Sequence, residues 1–254
     1  MDLNALAYLK KGLRDPLTAL YYLTHGRRKV AELKVKHLVK ALGYQGEVAR
    51  YYKLINSYTD FHAHISKALG ETYFGAVRSA EHLYVIVRIS NPEIVVETGV
   101  AAGVSSAFIL KALQDNNRGI LYSIDLPDYD QEYLPNLKLQ GKFPGVVIPE
   151  YVKGPGFAIP ENVKGRWVLN IGKSKDVLLP LLNRISRVDI FLHDSEHTYE
   201  NMMLEYATAW DYLPAGGLLL SHDIGWNSAF RDFTKGARRK AIEIYFTGMG
   251  AIVK

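Results

Sequence analysis

The stretch from Ile94 to Ser106 limits the possible folds of this chain more than any other part of the sequence. It begins with Ile94-Val95-Val96, an apolar run without alternation that is typical of a parallel strand covered on both faces. Gly99 and Gly103 follow, and glycine allows a sharp turn and a close approach of the backbone to a ligand. The stretch therefore predicts a strand, a glycine turn and a helix that begins near Ser105.

Glu97, at the end of the predicted strand, distinguishes between two kinds of nucleotide site. The dinucleotide fingerprint places a pyrophosphate on the helix N-terminus, where a carboxylate would repel it. An acid at this place instead suits a ligand with hydroxyls and a cationic group. Small residues follow at alternate positions, namely Gly99, Ala101 and Gly103. An ordinary strand–turn–helix without a ligand is the alternative for this stretch taken alone.

From residue 90 onwards, predicted strands alternate with predicted helices, which indicates a parallel sheet. The strands are predicted at residues 94–97, 120–124, 167–171, 188–192 and 218–221, followed by a closing hairpin of residues 242–246 and 251–253. We expect an α/β fold with a Rossmann-like, mostly parallel seven-stranded sheet and an antiparallel last strand. Asp125 follows the second strand, which is the usual place of the acid that hydrogen-bonds ribose hydroxyls.

Two segments lie outside this alternation. Residues 1–90 carry helical patterns and are expected to form an N-terminal helical cap on a domain of residues 91–254. Residues 127–166 are rich in proline, glycine and aromatic residues, and connections of this length are usually functional or disordered. Because aromatic residues argue against disorder, we expect a lid or a substrate-binding insertion there.

Composition restricts the chemistry and the location. The 254 residues include no cysteine, which excludes disulfides, thiolate catalysis and cysteine-ligated zinc. No apolar run reaches the roughly 20 residues of a membrane-spanning helix, and the N-terminus lacks the basic region of a secretory signal. The net charge of +5 permits an acidic partner without requiring one. We expect a cytoplasmic protein with no transmembrane segment.

The most polar cluster follows the fourth predicted strand, at residues 193–199, and Asp223 follows the fifth. The carboxyl ends of parallel strands meet at one edge of a sheet, so Asp194 and Asp223 are expected to be neighbours. His197 is the best candidate for a general base, because the unperturbed pKa of histidine lies near neutrality. A hydrogen-bonding role at the start of the next helix is the alternative for His197. His193 and His222 flank the two acids.

The turn from Glu97 to Gly103, Asp125, the run from His193 to Tyr199 and the segment from Pro214 to Asp223 together resemble the class I S-adenosylmethionine (SAM)-dependent methyltransferases. Within that class, the pattern is similar to the group that includes macrocin O-methyltransferase. The resemblance covers residues 79–254 and implies SAM as the cofactor and a hydroxyl oxygen of a small molecule or sugar as the methyl acceptor. By position, it implies that the cofactor-binding residues are Glu97, Gly99, Val100, Gly103, Ser105, Asp125, Ser174 and Asp194.

The resemblance also implies catalytic roles for His197 and Asp194. Metal-dependent relatives carry an acid at the positions of Asp194 and Asp223, which makes Mg²⁺ a candidate second cofactor with these two ligands. Two facing carboxylates without a cation would repel each other, which favours a metal. Ile224 stands where those relatives carry Asp or Asn.

Two other functions remain open. One is an RNA methyltransferase that uses the basic helix of residues 27–42 and Arg238-Arg239-Lys240. It is disfavoured because the fourth strand does not end in the Asn/Asp-Pro-Pro-aromatic motif of base methylation. The other is a non-catalytic scaffold, which the retained Glu97, Gly99 and Asp125 disfavour. The expected partners are a small-molecule or sugar acceptor and a second copy of the chain in a homo-oligomer.

Overall fold

The computed structural model describes residues 16–45, 47–69, 80–126, 154–245 and 247–254. Helices dominate the part that precedes the sheet: α1 (Pro16–Ala41), α2 (Val48–Ser57), α3 (Thr59–Leu69) and α4 (Glu81–Ser90). Helix α1 joins two helical segments, because Gly26 within it has a φ of 77° and a ψ of 175°. Within the described ranges, no helix has the length and apolarity needed to cross a membrane.

Strands and helices alternate in the remainder of the chain. The elements in order are β1 (Ile94–Thr98), α5 (Val104–Asn116), β2 (Ile120–Asp125), a 3₁₀ helix (Glu161–Arg166), β3 (Trp167–Ile171), α6 (Ser174–Ile185), β4 (Ile190–His193), α7 (Tyr199–Tyr212), β5 (Leu218–Ser221), α8 (Ala229–Gly236), β6 (Ile242–Ile244) and β7 (Met249–Val253). The predicted start of the fourth strand at residue 188 was wrong. The Val188 N–H donates to the Tyr212 carbonyl, outside the sheet, so β4 begins at Ile190.

The strands form one seven-stranded sheet with the order β3-β2-β1-β4-β5-β7-β6. β1 lies between β2 and β4 and is parallel to both. β7 is antiparallel to its two neighbours, β5 and β6. The predicted fold class is therefore confirmed. The strand order reverses between β1 and β4, which is the switch point at whose carboxyl edge open α/β sheets bind ligands.

Alternate residues of the central strands enter different hydrophobic clusters. Val95 packs with side chains of α1 to α5, whereas Val96 packs with side chains of α6 to α8. Both valines are fully buried, which explains why the strand sequence does not alternate between apolar and polar residues. Leu38 of α1 and Ile55 of α2 belong to the same cluster as Val95. The described N-terminal helices thus share a core with the sheet.

The turn after β1 is crowded by backbone from two other segments. A Cβ atom at Gly99 would lie 2.1 Å from the Asp194 carbonyl oxygen, and one at Gly103 would lie 2.7 Å from the Gly156 Cα atom. The Gly156 N–H donates to the Ala101 carbonyl at 2.8 Å. The end of the predicted insertion therefore packs on the glycine turn. Residues 127–153 lie outside the described residues, and the lid function of the insertion stays a prediction.

The crowding at Gly99 gives a direct test with a matched control. Gly99 and Gly216 have φ values of +84° and +82°, but a Cβ atom at Gly216 would meet nothing within 4 Å. Gly216→Ala should lower the free energy of unfolding by about 1 kcal/mol, the conformational cost alone. Gly99→Ala should cost about 2 kcal/mol more, because the methyl group overlaps backbone. Urea denaturation measures both values, and equal losses would contradict the close approach.

Candidate active site

Four titratable side chains meet beyond the carboxyl ends of β4 and β5. His222 Nδ1 lies 2.9 Å from Asp194 Oδ1 and 3.7 Å from Asp223 Oδ2. His197 Nε2 lies 3.8 Å from Asp194 Oδ1 and 4.0 Å from Asp223 Oδ2. β4 and β5 run parallel with His193 opposite Ser221, so the residues that follow leave at the same edge. The structure thus brings together the predicted Asp194, His197 and Asp223, and it adds His222.

The two histidines of this cluster differ in protonation. Burial lowers the pKa of His197, although the charge of Asp194 opposes this change. Burial would also lower the pKa of His222, but Asp194, Asp223 and a hydrogen bond to the Thr247 backbone carbonyl together raise it to about 9. At neutral pH, His197 is therefore neutral and His222 is an imidazolium. His222 supplies the positive charge that the two facing carboxylates require.

The hairpin of β6 and β7 contributes to this cluster through its turn. The Ile224 N–H donates to the Gly248 carbonyl at 3.2 Å, and a Cβ atom at Gly248 would lie 3.2 Å from Asp223 Oδ1. With the bond between His222 and Thr247, these contacts place the turn against the acids. The hairpin therefore helps to fix the orientation of His222 and Asp223.

His197 Nε2 is buried and has no hydrogen-bond partner among the described residues. It faces Asp194 and Asp223 at distances too long for hydrogen bonds. The Asn227 side-chain amide donates to the His197 backbone carbonyl at 3.0 Å, which fixes the base of the side chain. A neutral imidazole nitrogen in this position can accept a proton from a hydroxyl group placed between it and the acids.

Glu205 of α7 is a buried acid that was not predicted from the sequence. Its carboxylate lies 2.6 Å from His193 Nδ1 and accepts hydrogen bonds from Thr98 Oγ1 at 2.5 Å and Ser195 Oγ at 2.6 Å. Burial would raise the pKa of Glu205, but its contacts with His193 lower it below the usual value. His193 is thus a structural partner of Glu205, and Ser195 is held beside Asp194. The signal in the sequence was an acid on the apolar face of a helix, between Met202 and Ala209.

Asp125 ends β2, which lies on the other side of β1 from β4 and the cluster of acids and histidines. Its Oδ2 accepts a hydrogen bond from the Ala101 N–H at 3.1 Å. Burial raises the pKa of Asp125, and backbone donors including Ala101 partly oppose this. Two aliphatic side chains near it, Leu126 and Ile171, are 47% and 57% exposed. Ile171 is the partner of Asp125 in the register between β2 and β3. The sequence analysis did not identify this apolar surface. The signal for it was an aliphatic residue at or just after the end of a strand, at Leu126 and at Ile171.

Glu97 is fully buried, unlike Asp125. Its carboxylate accepts hydrogen bonds from Ser123 Oγ at 2.6 Å, from Ser105 Oγ at 3.3 Å and from Ser106 Oγ. Burial raises the pKa of Glu97 to about 7, although the serine hydroxyls oppose this change. Glu97 and Ser105 thus bind each other in this structure, and their contact with a cofactor stays a prediction.

The remaining predicted cofactor residues lie on both sides of the turn. Val100 is buried, and Gly103 is the N-cap of α5, with a φ of 88°. Ser174 begins α6 and donates a hydrogen bond to Asn201 Oδ1 at 3.1 Å. Asn201 also donates to Glu205 at 3.1 Å, so Ser174 is connected to the buried network of α7.

Comparison with known protein families decides the class of this site. The sequence model of a family described as a methyltransferase domain matches residues 96–224, a little over half of the chain. This chain belongs to that methyltransferase family. The matched residues run from β1 to Ile224 and contain both the glycine turn and the cluster of acids and histidines. No curated protein matches the sequence significantly.

Solved O-methyltransferases are similar in structure to this chain. A putative O-methyltransferase from Klebsiella pneumoniae is 15% identical, with a TM-score of 0.51 over 90% of this chain and 99% of that chain. TomG from Streptomyces achromogenes, involved in tomaymycin synthesis and solved in complex with SAM, is 15% identical, with a TM-score of 0.51 over 77% and 90%. CalS11, a TDP-rhamnose 3'-O-methyltransferase of calicheamicin biosynthesis, is 15% identical, with a TM-score of 0.48 over 87% and 92%.

The family match and the fold confirm the resemblance to class I SAM-dependent methyltransferases that was predicted from the sequence. TomG, which has this fold, binds SAM, and SAM is the cofactor that the family and the fold support for this chain. The roles of the individual site residues stay predictions, to be tested by substitution.

Asp125 is the first residue to test. Asp125→Ala should weaken SAM binding by about 1.5–3 kcal/mol, because a charged acceptor for ribose hydroxyls is lost. Isothermal titration calorimetry measures the dissociation constant. Asp211→Ala removes an exposed acid from α7 and serves as the control. If both variants bind SAM as tightly as the wild type, Asp125 is not a ribose ligand.

The raised pKa of Glu97 predicts that the free energy of unfolding depends on pH. Its folded-state pKa of about 7 lies above the usual value of 4.5, so the folded state retains a proton that the unfolded state loses. The free energy of unfolding of wild type, minus that of Glu97→Gln, should therefore fall as pH rises from 4.5 to 7. Above pH 7 this difference should stay constant. The total loss should be about 3 kcal/mol. Urea denaturation of both proteins at several pH values measures it, and a pH-independent difference would contradict the raised pKa.

Proposed function

We propose that this methyltransferase transfers the methyl group of SAM to a hydroxyl oxygen of a small molecule, sugars included. The observation that carries the proposal is His197 Nε2, a buried acceptor without a hydrogen-bond partner among the described residues. It lies beside two carboxylates at the edge of the sheet that also bears the glycine turn. A hydroxyl acceptor must lose its proton during methyl transfer, and this arrangement supplies a base for it.

The residues at the turn after β1 fit SAM. Asp125 lies beside the turn, where its Oδ2 accepts from the Ala101 N–H, and it offers a carboxylate to the ribose hydroxyls. Leu126 and Ile171 offer exposed aliphatic surface for the adenine ring. SAM supplies a methyl group already activated by the sulfonium, so the protein mainly has to hold the acceptor oxygen in line with it.

His197 acts as the general base in this proposal. Its lowered pKa keeps Nε2 unprotonated at neutral pH, when it can accept the hydroxyl proton. The imidazolium that results lies 3.8 Å from Asp194 Oδ1 and 4.0 Å from Asp223 Oδ2. These carboxylates stabilise the new charge, much as the acid of a catalytic triad stabilises its histidine.

The same side chains fit a divalent cation. Asp194, His197 and His222 offer ligand atoms that all lie within 4.8 Å of one another. Asp194 and Asp223 are the proposed ligands of Mg²⁺, which prefers carboxylate oxygens. A bound cation would lower the pKa of the acceptor hydroxyl. It would compete with protonated His222, which already lies 2.9 Å from Asp194. We therefore propose His197 as the main route and the cation as the alternative.

The two ends of the basic helix of the RNA alternative lie near different parts of the sheet. Lys34 Nζ lies 4.6 Å from the ring centroid of Tyr245, which directly follows β6. The Tyr44 hydroxyl, just beyond α1, donates to the Ser90 carbonyl at 3.3 Å, close to the amino-terminal start of β1. Lys36 and Lys40, which are exposed, are therefore near the amino edge of the sheet. The preference for a small-molecule acceptor rests on the arrangement around His197. The cytoplasmic location and the homo-oligomer stay predictions.

Chelation separates the two routes. We expect His197→Gln to lower kcat by about 10²–10⁴-fold, the usual contribution of a general base, and EDTA to leave wild-type activity unchanged. Formation of S-adenosylhomocysteine is the measurement, and calorimetry checks that SAM binding is retained. His64→Gln replaces an exposed histidine of α3 and is the matched control. Loss of activity in EDTA, restored by Mg²⁺, would assign activation of the acceptor to the cation.

A further inference from the structure

Trp226 is a large apolar side chain left in solvent at the site. It is 51% exposed, although burial of an indole is strongly favourable. Its ring centroid lies 5.1 Å from that of His197, with an angle of 41° between the planes. It lies three residues after Asp223, in the loop between β5 and α8. An exposed aromatic face thus lies beside the proposed base.

The loop that carries Trp226 is held by hydrogen bonds on both sides. The Trp226 N–H donates to the Asp223 carbonyl at 3.0 Å. The Asn227 side chain donates to the His197 carbonyl at 3.0 Å and accepts from the Ala229 N–H at 2.8 Å. These bonds hold the backbone of the loop beside His197. The place of the Trp226 indole beside the proposed base His197, and not its exposure alone, makes it a candidate contact for the acceptor.

The surroundings of Trp226 define the chemistry of that ligand. The described ring neighbours of His197 are His193, His222 and Trp226, and Trp226 is the one that presents apolar surface to solvent. Asp194 and Asp223, when ionised, can only accept hydrogen bonds. A ring with one flat apolar face and two adjacent hydroxyls satisfies both requirements, because the face covers the indole and the hydroxyls donate to the acids.

We propose that Trp226 is the specificity-determining residue of the acceptor site, and that it selects a ring that carries two adjacent hydroxyl groups. This inference rests on the proposed transfer of methyl groups to oxygen. Pyranose sugars and catechols share the required chemistry. Stacking on Trp226 orients the ring so that one hydroxyl reaches His197 Nε2 and its neighbour reaches a carboxylate. The indole acts on acceptor binding and leaves SAM binding unaffected.

The test compares sugars and catechol as methyl acceptors. Wild type and variants are incubated with SAM and a panel of methyl pyranosides, nucleoside-diphosphate sugars, catechol and, as a ring-free acceptor, 1,2-propanediol. Formation of S-adenosylhomocysteine gives kcat and KM. For the ring that is methylated, Trp226→Ala should raise KM about tenfold, the value of one covered aromatic face. Trp226→Phe, which keeps a flat face, should restore most of the affinity.

Controls separate recognition from a structural role. SAM binding by calorimetry and the thermal midpoint should be unchanged in Trp226→Ala, whereas a structural defect would alter both of them together with KM. Tyr44→Ala removes another exposed aromatic, 42% accessible and far from the site, and should leave KM unchanged.

Three outcomes would overturn the inference. An unchanged KM in Trp226→Ala would remove its role in recognition. Transfer to 1,2-propanediol alone, or to no member of the panel by a protein that binds SAM, would refute the ring acceptor. A protein that does not bind SAM at all would instead refute the proposed function, so the two failures are distinguishable.

Discussion

The close contact between the turn after β1 and the end of β4 is the constraint on which the site depends. At Gly99 there is no room for a side chain, because the Asp194 carbonyl occupies the place of the Cβ atom. The Asp194 N–H in turn donates to the Thr98 carbonyl at 2.9 Å. The turn proposed to bind the methyl donor and the acid proposed to face the acceptor are therefore parts of one rigid unit. Methyl transfer requires such a unit, since donor and acceptor must stay in line.

Two buried carboxylates support this unit from either side of β1, and their partners give them different charges. The bonds to Glu97 come from three serine hydroxyls, which offset burial only in part, so its pKa rises to about 7. Glu205 also binds His193, and its pKa is lowered. Burial alone thus does not determine the charge of an acid. What matters is whether its partners can themselves carry the opposite charge.

The order of the elements could be predicted from the sequence because it depends on local patterns. The apolar runs predicted β3 and β5 with their observed bounds, and the position of two acids after neighbouring strands predicted the proximity of Asp194 and Asp223. The role of His222 could not be predicted, because it depends on which way its ring points and on a carbonyl 25 residues further along the chain, at Thr247. Glu205 was missed because its partners are distant in sequence and meet only in the folded chain.

The hairpin of β6 and β7 is translated after the residues of the site, and the site depends on it for its final arrangement. The cluster takes its acids from the ends of β4 and β5, but Thr247 and Gly248 hold His222 and Asp223 in place. A nascent chain that has already formed β1 to β5 would possess every proposed catalytic group and still lack their final orientation. On the ribosome, the arrangement proposed to deprotonate an acceptor can therefore be completed only after the hairpin has emerged.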